Sequence, residues 1–196
     1  DEIQTGFART GKMFAIEHAG VAADIVAMAK GLGGGFPIAA VTGRADIMDK
    51  IPMGGVGSTF AGNPLSCAAS LAVLEIIDDE KLIDRANEVG RRLKAIFEDW
   101  QEGNEFSCIG EVRGLGAMVA IEFVRDRETR QPWPELVKTI THIDAEKGLL
   151  LLSCGVYGNV VRVLTPLTIP FEHLGEGVAI LQDSLRAALD KMESGQ

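Results

Sequence analysis

The stretch Leu65 to Ile77 constrains this chain most: it is rich in Ala and Leu and apolar on nearly every side of a helix. A helix of that kind cannot lie on a surface, where one face must be polar; it has to be covered on several sides. Its start is marked by Asn63-Pro64, since Asn caps a helix well and Pro at the first helical position loses no hydrogen bond. Asp78-Asp79 interrupts it. Leu82, Ala86, Val89, Leu93, Ile96 and Phe97 then recur at spacings of three and four, which predicts an amphipathic second helix. The polar stretch Gln101 to Asn104 predicts a loop.

Ahead of these helices the chain is glycine-rich and predicts strands and turns. Asp24 to Ala29 and Ile38 to Gly43 are short apolar runs that fit buried strands. After the helices, Ala117 to Val124, Leu149 to Leu152 and Val160 to Leu164 predict strands. Arg125 to Pro134 reads as a charged loop, Glu135 to Lys147 as a helix stopped by Gly148, and Leu174, Val178, Leu181 and Leu185 as a closing amphipathic helix. Alternating strands and helices in both halves predict an α/β piece followed by a smaller α+β domain.

Composition excludes several classes of function. The formal charge is −9 with no compensating basic stripe, so nucleic acid is not an expected partner. No apolar run approaches the length that spans a bilayer, so no membrane association is expected. Cys67, Cys108 and Cys154 are too few and scattered for a disulfide framework or a zinc site. They are expected to be small buried hydrophobes in a reducing compartment, the cytoplasm. His18, His142 and His173 are equally dispersed, and no metal site is expected.

Lys30 is the most informative single residue. It ends an apolar run and precedes Gly31, Gly33, Gly34 and Gly35, so its amine could sit at the edge of a buried pocket where desolvation favours the nucleophilic form. The plainer reading is a solvated lysine at a strand end. The glycines match neither a dinucleotide-binding nor a Walker signature and by themselves read as a tight loop.

The pieces gain meaning in order. DEIQTGFARTG (1–11), AKGLGGGFPIAAVTG (29–43), GSTFAGNP (57–64), VRGLGAMVAIEF (112–123) and NVVRVLTPLTI (159–169) together resemble the class III (omega) aminotransferases, nearest in pattern to the branch acting on 4-aminobutyrate. The resemblance runs over essentially the whole chain. It implies a fold-type-I α/β architecture in which residues 1–78 are the C-terminal part of the large cofactor-binding domain and residues 79–196 the small α+β domain. It implies pyridoxal 5'-phosphate as cofactor, an amino donor and 2-oxoglutarate as substrates, and at least a homodimer.

Residue by residue, the resemblance implies that Lys30 is the Schiff-base lysine and that Asp1 pairs with the ring nitrogen. Ile3 packs on one ring face, Gln4 reaches the phenolic oxygen, and Thr59 binds the phosphate of the neighbouring subunit's cofactor. Arg162 holds a substrate carboxylate. Each has a bland counterpart: a solvated chain end for Asp1, plain core for Ile3, loop polar groups for Gln4 and Thr59, a rim ion pair for Arg162. The match corresponds to the C-terminal half of the family's length, so these residues alone are expected to lack a competent active site, and Leu65 to Ile77 and the strands around Lys30 to lose partners. Other donors of the same chemistry (ornithine, 5-aminovalerate, beta-alanine) and a non-catalytic assembly module remain open alternatives.

Overall fold

The computed structural model describes residues 1–194. The chain divides into two compact units, Asp1–Glu88 and Val89–Gln196. In the first, a chain of turns and a 3-10 helix, Ala15–Ala19, leads to β1 (Ile25–Met28). A second 3-10 turn, Lys30–Gly33, follows, then β2 (Ala40–Gly43), the single turn α1 (Ala45–Met48) and the long α2 (Pro64–Asp79). β1 and β2 pair antiparallel, Ile25 opposite Gly43 and Met28 opposite Ala40.

Asn63 caps α2 as its sequence requires: its side-chain oxygen accepts from the backbone N–H of Leu65 at 2.9 Å and of Ser66 at 3.4 Å. The helix shows the loss of partners expected for this half of the family's length. Leu65 and Leu71 are 70% and 64% exposed, and Leu74 and Ile76 are exposed as well. β2 likewise has exposed Val41 and Thr42 rather than a buried strand. A two-stranded ribbon supplies too little surface to cover either element.

α3 (Leu82–Glu102) carries the anticipated stripe: Leu82, Ala86, Val89, Leu93 and Phe97 are all buried. It continues through Gln101 and Glu102, where a loop was expected. The second unit then builds a four-stranded antiparallel sheet of order β3-β4-β6-β5. Its strands are β3 (Ile109–Leu115), β4 (Met118–Phe123), β5 (Leu152–Cys154) and β6 (Val160–Val163). β3 is an addition to the sequence reading, and β5 begins at Leu152 instead of Leu149 because only Leu152 to Cys154 find partners, on Val160 to Arg162. α4 (Pro134–Glu146) and α5 (Phe171–Ser194) complete the unit, and Gly148, at φ +87°, ends the α4 segment.

One side of the sheet is sealed. Val119, Ile121, Phe123, Val161 and Val163 point alternately to it and are buried, with Phe97, Ile140 and Leu185 among the helix side chains of the same core. Cys108 is buried, and burial pushes its thiol up to about 11. Cys67 and Cys154 are only half-buried, which corrects the expectation for those two.

Asp144, on α4, is a fully buried carboxylate whose oxygens lack well-formed hydrogen bonds. Burial raises its pKa from 3.8 to about 6, against the opposing pull of the Ser184 hydroxyl and the Lys147 charge. A raised acid binds its proton more tightly folded than unfolded. Its contribution to stability is therefore intact below pH 3.8, declines as pH rises, and is gone above pH 6. Asp144→Asn is expected to remove this decline and to stabilise the protein above pH 6 by on the order of 2 kcal/mol. Urea unfolding at pH 4, 5 and 8 checks it; an unchanged pH slope in the variant would refute the assignment.

Candidate active site

The first residues are held in place by Glu2. Its carboxylate accepts from the backbone N–H of Ala15 at 3.0 Å and of Ile16 at 2.9 Å, and from the Thr5 hydroxyl. Burial, with only 5% of the residue exposed, pushes its pKa up, but these hydrogen bonds outweigh burial and hold it below the ordinary carboxylate range. The Glu2 N–H donates to the Ala27 carbonyl at 2.8 Å, lashing this segment to β1. Sequence reading passed over Glu2; the only hint is Thr5, three residues on, because the amides it collects are thirteen and fourteen residues away.

Two further features fix the segment. The Ile3 N–H donates to Asp1 Oδ1 at 2.9 Å. Phe7 and Ala8, both buried, have φ of +58° and +69°, conformations that cost on the order of 1–2 kcal/mol each for non-glycine residues.

Just beyond that same end of β1, Lys30 also has a positive φ, +45°. The turn it opens is tight at its glycines. A Cβ on Gly33 would lie 2.7 Å from Ile38 Cγ2, and one on Gly34 would lie 2.7 Å from Val73 Cγ2 of α2. A Cβ on Gly31 would come to 3.3 Å from Phe7 Cβ. The Phe7 segment therefore packs directly under the lysine turn.

The structure thus joins two of the expected site segments, 1–7 and 27–34, through the Glu2–Ala27 hydrogen bond and the Gly31–Phe7 approach. Asp1 and Lys30 stand on these adjoining stretches and both are exposed; Ile3 and Gln4 are half-buried. Exposure of Lys30 agrees with the plainer of its two sequence readings, a solvated lysine at a strand end. Thr59 lies in an exposed turn, closed by the Ala61 N–H donating to Ser58 O at 3.0 Å.

Arg162 belongs to the second unit, on β6 opposite both Ala120 and Leu152. It lines a cavity of about 360 Å³ whose other walls include Leu93, Phe97, Leu164, Leu181 and His173. Among the described residues no cluster of His, Cys, Asp and Glu could hold a metal ion, and no helix is long and apolar enough to cross a membrane.

Comparison with known proteins gives a consistent result. The model of the family described as aminotransferase class-III matches residues 1–185. The chain is 51% identical over 183 residues to a 5-aminovalerate aminotransferase of Pseudomonas aeruginosa, covering 93% of this chain and 42% of that protein. It is 47% identical over 185 residues to the 4-aminobutyrate aminotransferase of Escherichia coli, covering 92% and 42%. Among solved structures, a PLP-bound amine transaminase from an uncultivated Pseudomonas species matches with a TM-score of 0.84 and 33% identity, over 95% of this chain and 44% of that one. The α/β fold-type-I architecture expected from the sequence is that of these structures. The chain spans less than half the length of the curated relatives it matches.

Proposed function

The chain belongs to the class III aminotransferases, and from that premise we propose that it works within a longer transaminase that moves the amino group of an omega-amino acid to 2-oxoglutarate. The donor is 4-aminobutyrate, the products a semialdehyde and glutamate. Residues 1–78 serve as the end of the cofactor domain and residues 79–196 as the small domain. The observation that carries this reading is the lashing of the Asp1 segment to Ala27 of β1, the strand that leads into the Lys30 turn. It puts an acid and an amine on adjoining stretches.

These residues suit pyridoxal 5'-phosphate, the cofactor of the family. Its aldehyde needs an amine, its ring nitrogen an acid, and its flat ring a close-packed surface; Lys30, Asp1 and the glycine-rich turn of Gly31, Gly33 and Gly34 would supply them. When bound, the cofactor supplies an electron sink that lets the carbon bearing the amine release a proton. Asp1 would accept a hydrogen bond from the ring nitrogen and keep it protonated. Ile3 would cover one ring face, and Gln4 would hydrogen-bond the phenolic oxygen.

Lys30 would hold the cofactor, and its Nζ would take the proton from the amine-bearing carbon of the substrate and deliver it onward. Arg162, with its planar fork of donors, grips the substrate carboxylate and leaves the amine end for reaction. Thr59 reaches the cofactor phosphate of the neighbouring subunit in a homodimer. Free thiols at Cys67, Cys108 and Cys154 support a cytoplasmic protein.

The greater identity to a 5-aminovalerate aminotransferase favours a second reading, a donor one methylene longer. A donor panel with the full-length protein separates the two. With 2-oxoglutarate as acceptor, kcat/KM is expected to be highest for 4-aminobutyrate. It should exceed that for 5-aminovalerate, ornithine and beta-alanine by about 10-fold or more, the discrimination one methylene allows. A maximum at 5-aminovalerate establishes the second reading. No glutamate from any donor overturns the transaminase assignment and leaves an assembly module.

A further inference from the structure

Among the described residues of the first unit, Glu2 is the one acid that lies buried. Three donors converge on its carboxylate, the Ala15 and Ile16 amides and the Thr5 hydroxyl, which suits the ionised form, an acceptor only. The two amides open the 3-10 helix Ala15–Ala19, and a helix cannot pair its first amides within itself. The main chain of Glu2 is engaged as well: its N–H donates to the Ala27 carbonyl at 2.8 Å, and its carbonyl accepts from the Gly6 N–H at 3.0 Å.

Glu2 stands between Asp1 and Ile3, and Asp1 Oδ1 accepts from the Ile3 N–H at 2.9 Å, so what fixes Glu2 fixes its two neighbours. The same stretch is tied again at Phe7, whose N–H donates to the Met13 carbonyl at 2.7 Å and whose ring meets that of Phe14 edge-on at 5.6 Å. Those ties hold the far end of the stretch. At the Asp1 end, the Glu2 carboxylate is what joins it to residues 15 and 16.

We propose that Glu2 is a positioning residue for the cofactor: it sets the place of Asp1 and, through Asp1, how firmly the ring nitrogen keeps its proton. This rests on Asp1 as the acid that pairs with the ring nitrogen. Glu2→Gln keeps the size of the side chain but turns an amide NH₂ toward donors that need an acceptor. A buried donor facing a donor is costly, so the Asp1 end of the stretch moves instead. A displacement of about 1 Å is enough to cost on the order of 10²-fold in rate.

The test uses the full-length transaminase with two cofactors, pyridoxal 5'-phosphate and its N-methyl derivative, whose ring nitrogen is permanently charged and needs no acid. With the ordinary cofactor, Glu2→Gln is expected to lose about 30-fold in kcat with KM within about twofold, and to bind the cofactor about 10-fold more weakly. The N-methyl derivative is expected to raise the kcat of Glu2→Gln about 5-fold or more and to give the wild type no gain. Thr5→Ala removes one donor and keeps the carboxylate, so it carries the same test in milder form, a loss of about 3-fold that the derivative recovers. A loss of kcat that the derivative does not recover, in Glu2→Gln or, where that variant does not fold, in Thr5→Ala, is the mark of a merely structural anchor and overturns the inference. An unchanged kcat in Glu2→Gln overturns it too. Asp1→Ala is the reference. If the derivative raises the kcat of Asp1→Ala but not that of Glu2→Gln, this inference alone fails; if Asp1→Ala loses nothing, the role of Asp1 fails and the inference with it.

Discussion

Lys30→Ala in the full-length transaminase is expected to lower kcat by at least about 10³-fold, or about 4 kcal/mol in the barrier. The loss is large because one amine is assigned two tasks, holding the cofactor and moving the proton of the amine-bearing carbon. Lys30→Arg should fare no better, since a guanidinium neither attacks a carbonyl nor gives up its proton at neutral pH. Added methylamine should recover part of the rate in Lys30→Ala and none in Lys30→Arg, whose side chain fills the space. The folded state should barely notice: Lys30 is exposed, and its φ of +45° already sits where a side chain is unfavourable. Transamination by Lys30→Ala at the wild-type rate would refute the assignment.

Gly90→Ala is the largest expected effect on the fold. Gly90 lies on α3 where the helix meets the turn between β3 and β4, and a Cβ there would fall 1.9 Å from the Gly116 carbonyl oxygen. Backbone, not a flexible side chain, blocks the way, so the helix or the hairpin must move. A cost of about 3 kcal/mol or more is expected, seen as a lowered urea midpoint or loss of folded protein. Gly175→Ala on α5 is the matched control, because nothing lies within 4 Å of its Cβ. There the gain in helix propensity should stabilise by up to about 1 kcal/mol. Equal effects of the two substitutions would show that the close approach at Gly90 does not govern stability.

Local signals were legible and long-range ones were not. Asn63-Pro64 announced α2 because a cap and its amides are neighbours in sequence, and the stripe from Leu82 to Phe97 announced α3 by its period. The strand β3 went unseen because its glycines, Gly110 and Gly114, break the alternation that marks a strand, while its pairing with β4 supplies the hydrogen bonds. β5 was displaced because Leu149 to Leu152 looks like a strand, yet the pairing starts only at Leu152. The same holds at the site. Asp1 and Lys30 could be picked out by motifs in order, but Glu2, which fastens the first motif, collects amides from residues 15 and 16.

The proposed chemistry stands on Lys30 as the residue to which the cofactor is attached. Borohydride reduction of the purified full-length enzyme, followed by proteolysis and peptide mass mapping, tests it most directly. A single pyridoxyl adduct is expected, on the peptide containing Lys30 and on no other lysine. An adduct on a different lysine, or an active enzyme with none, would contradict it.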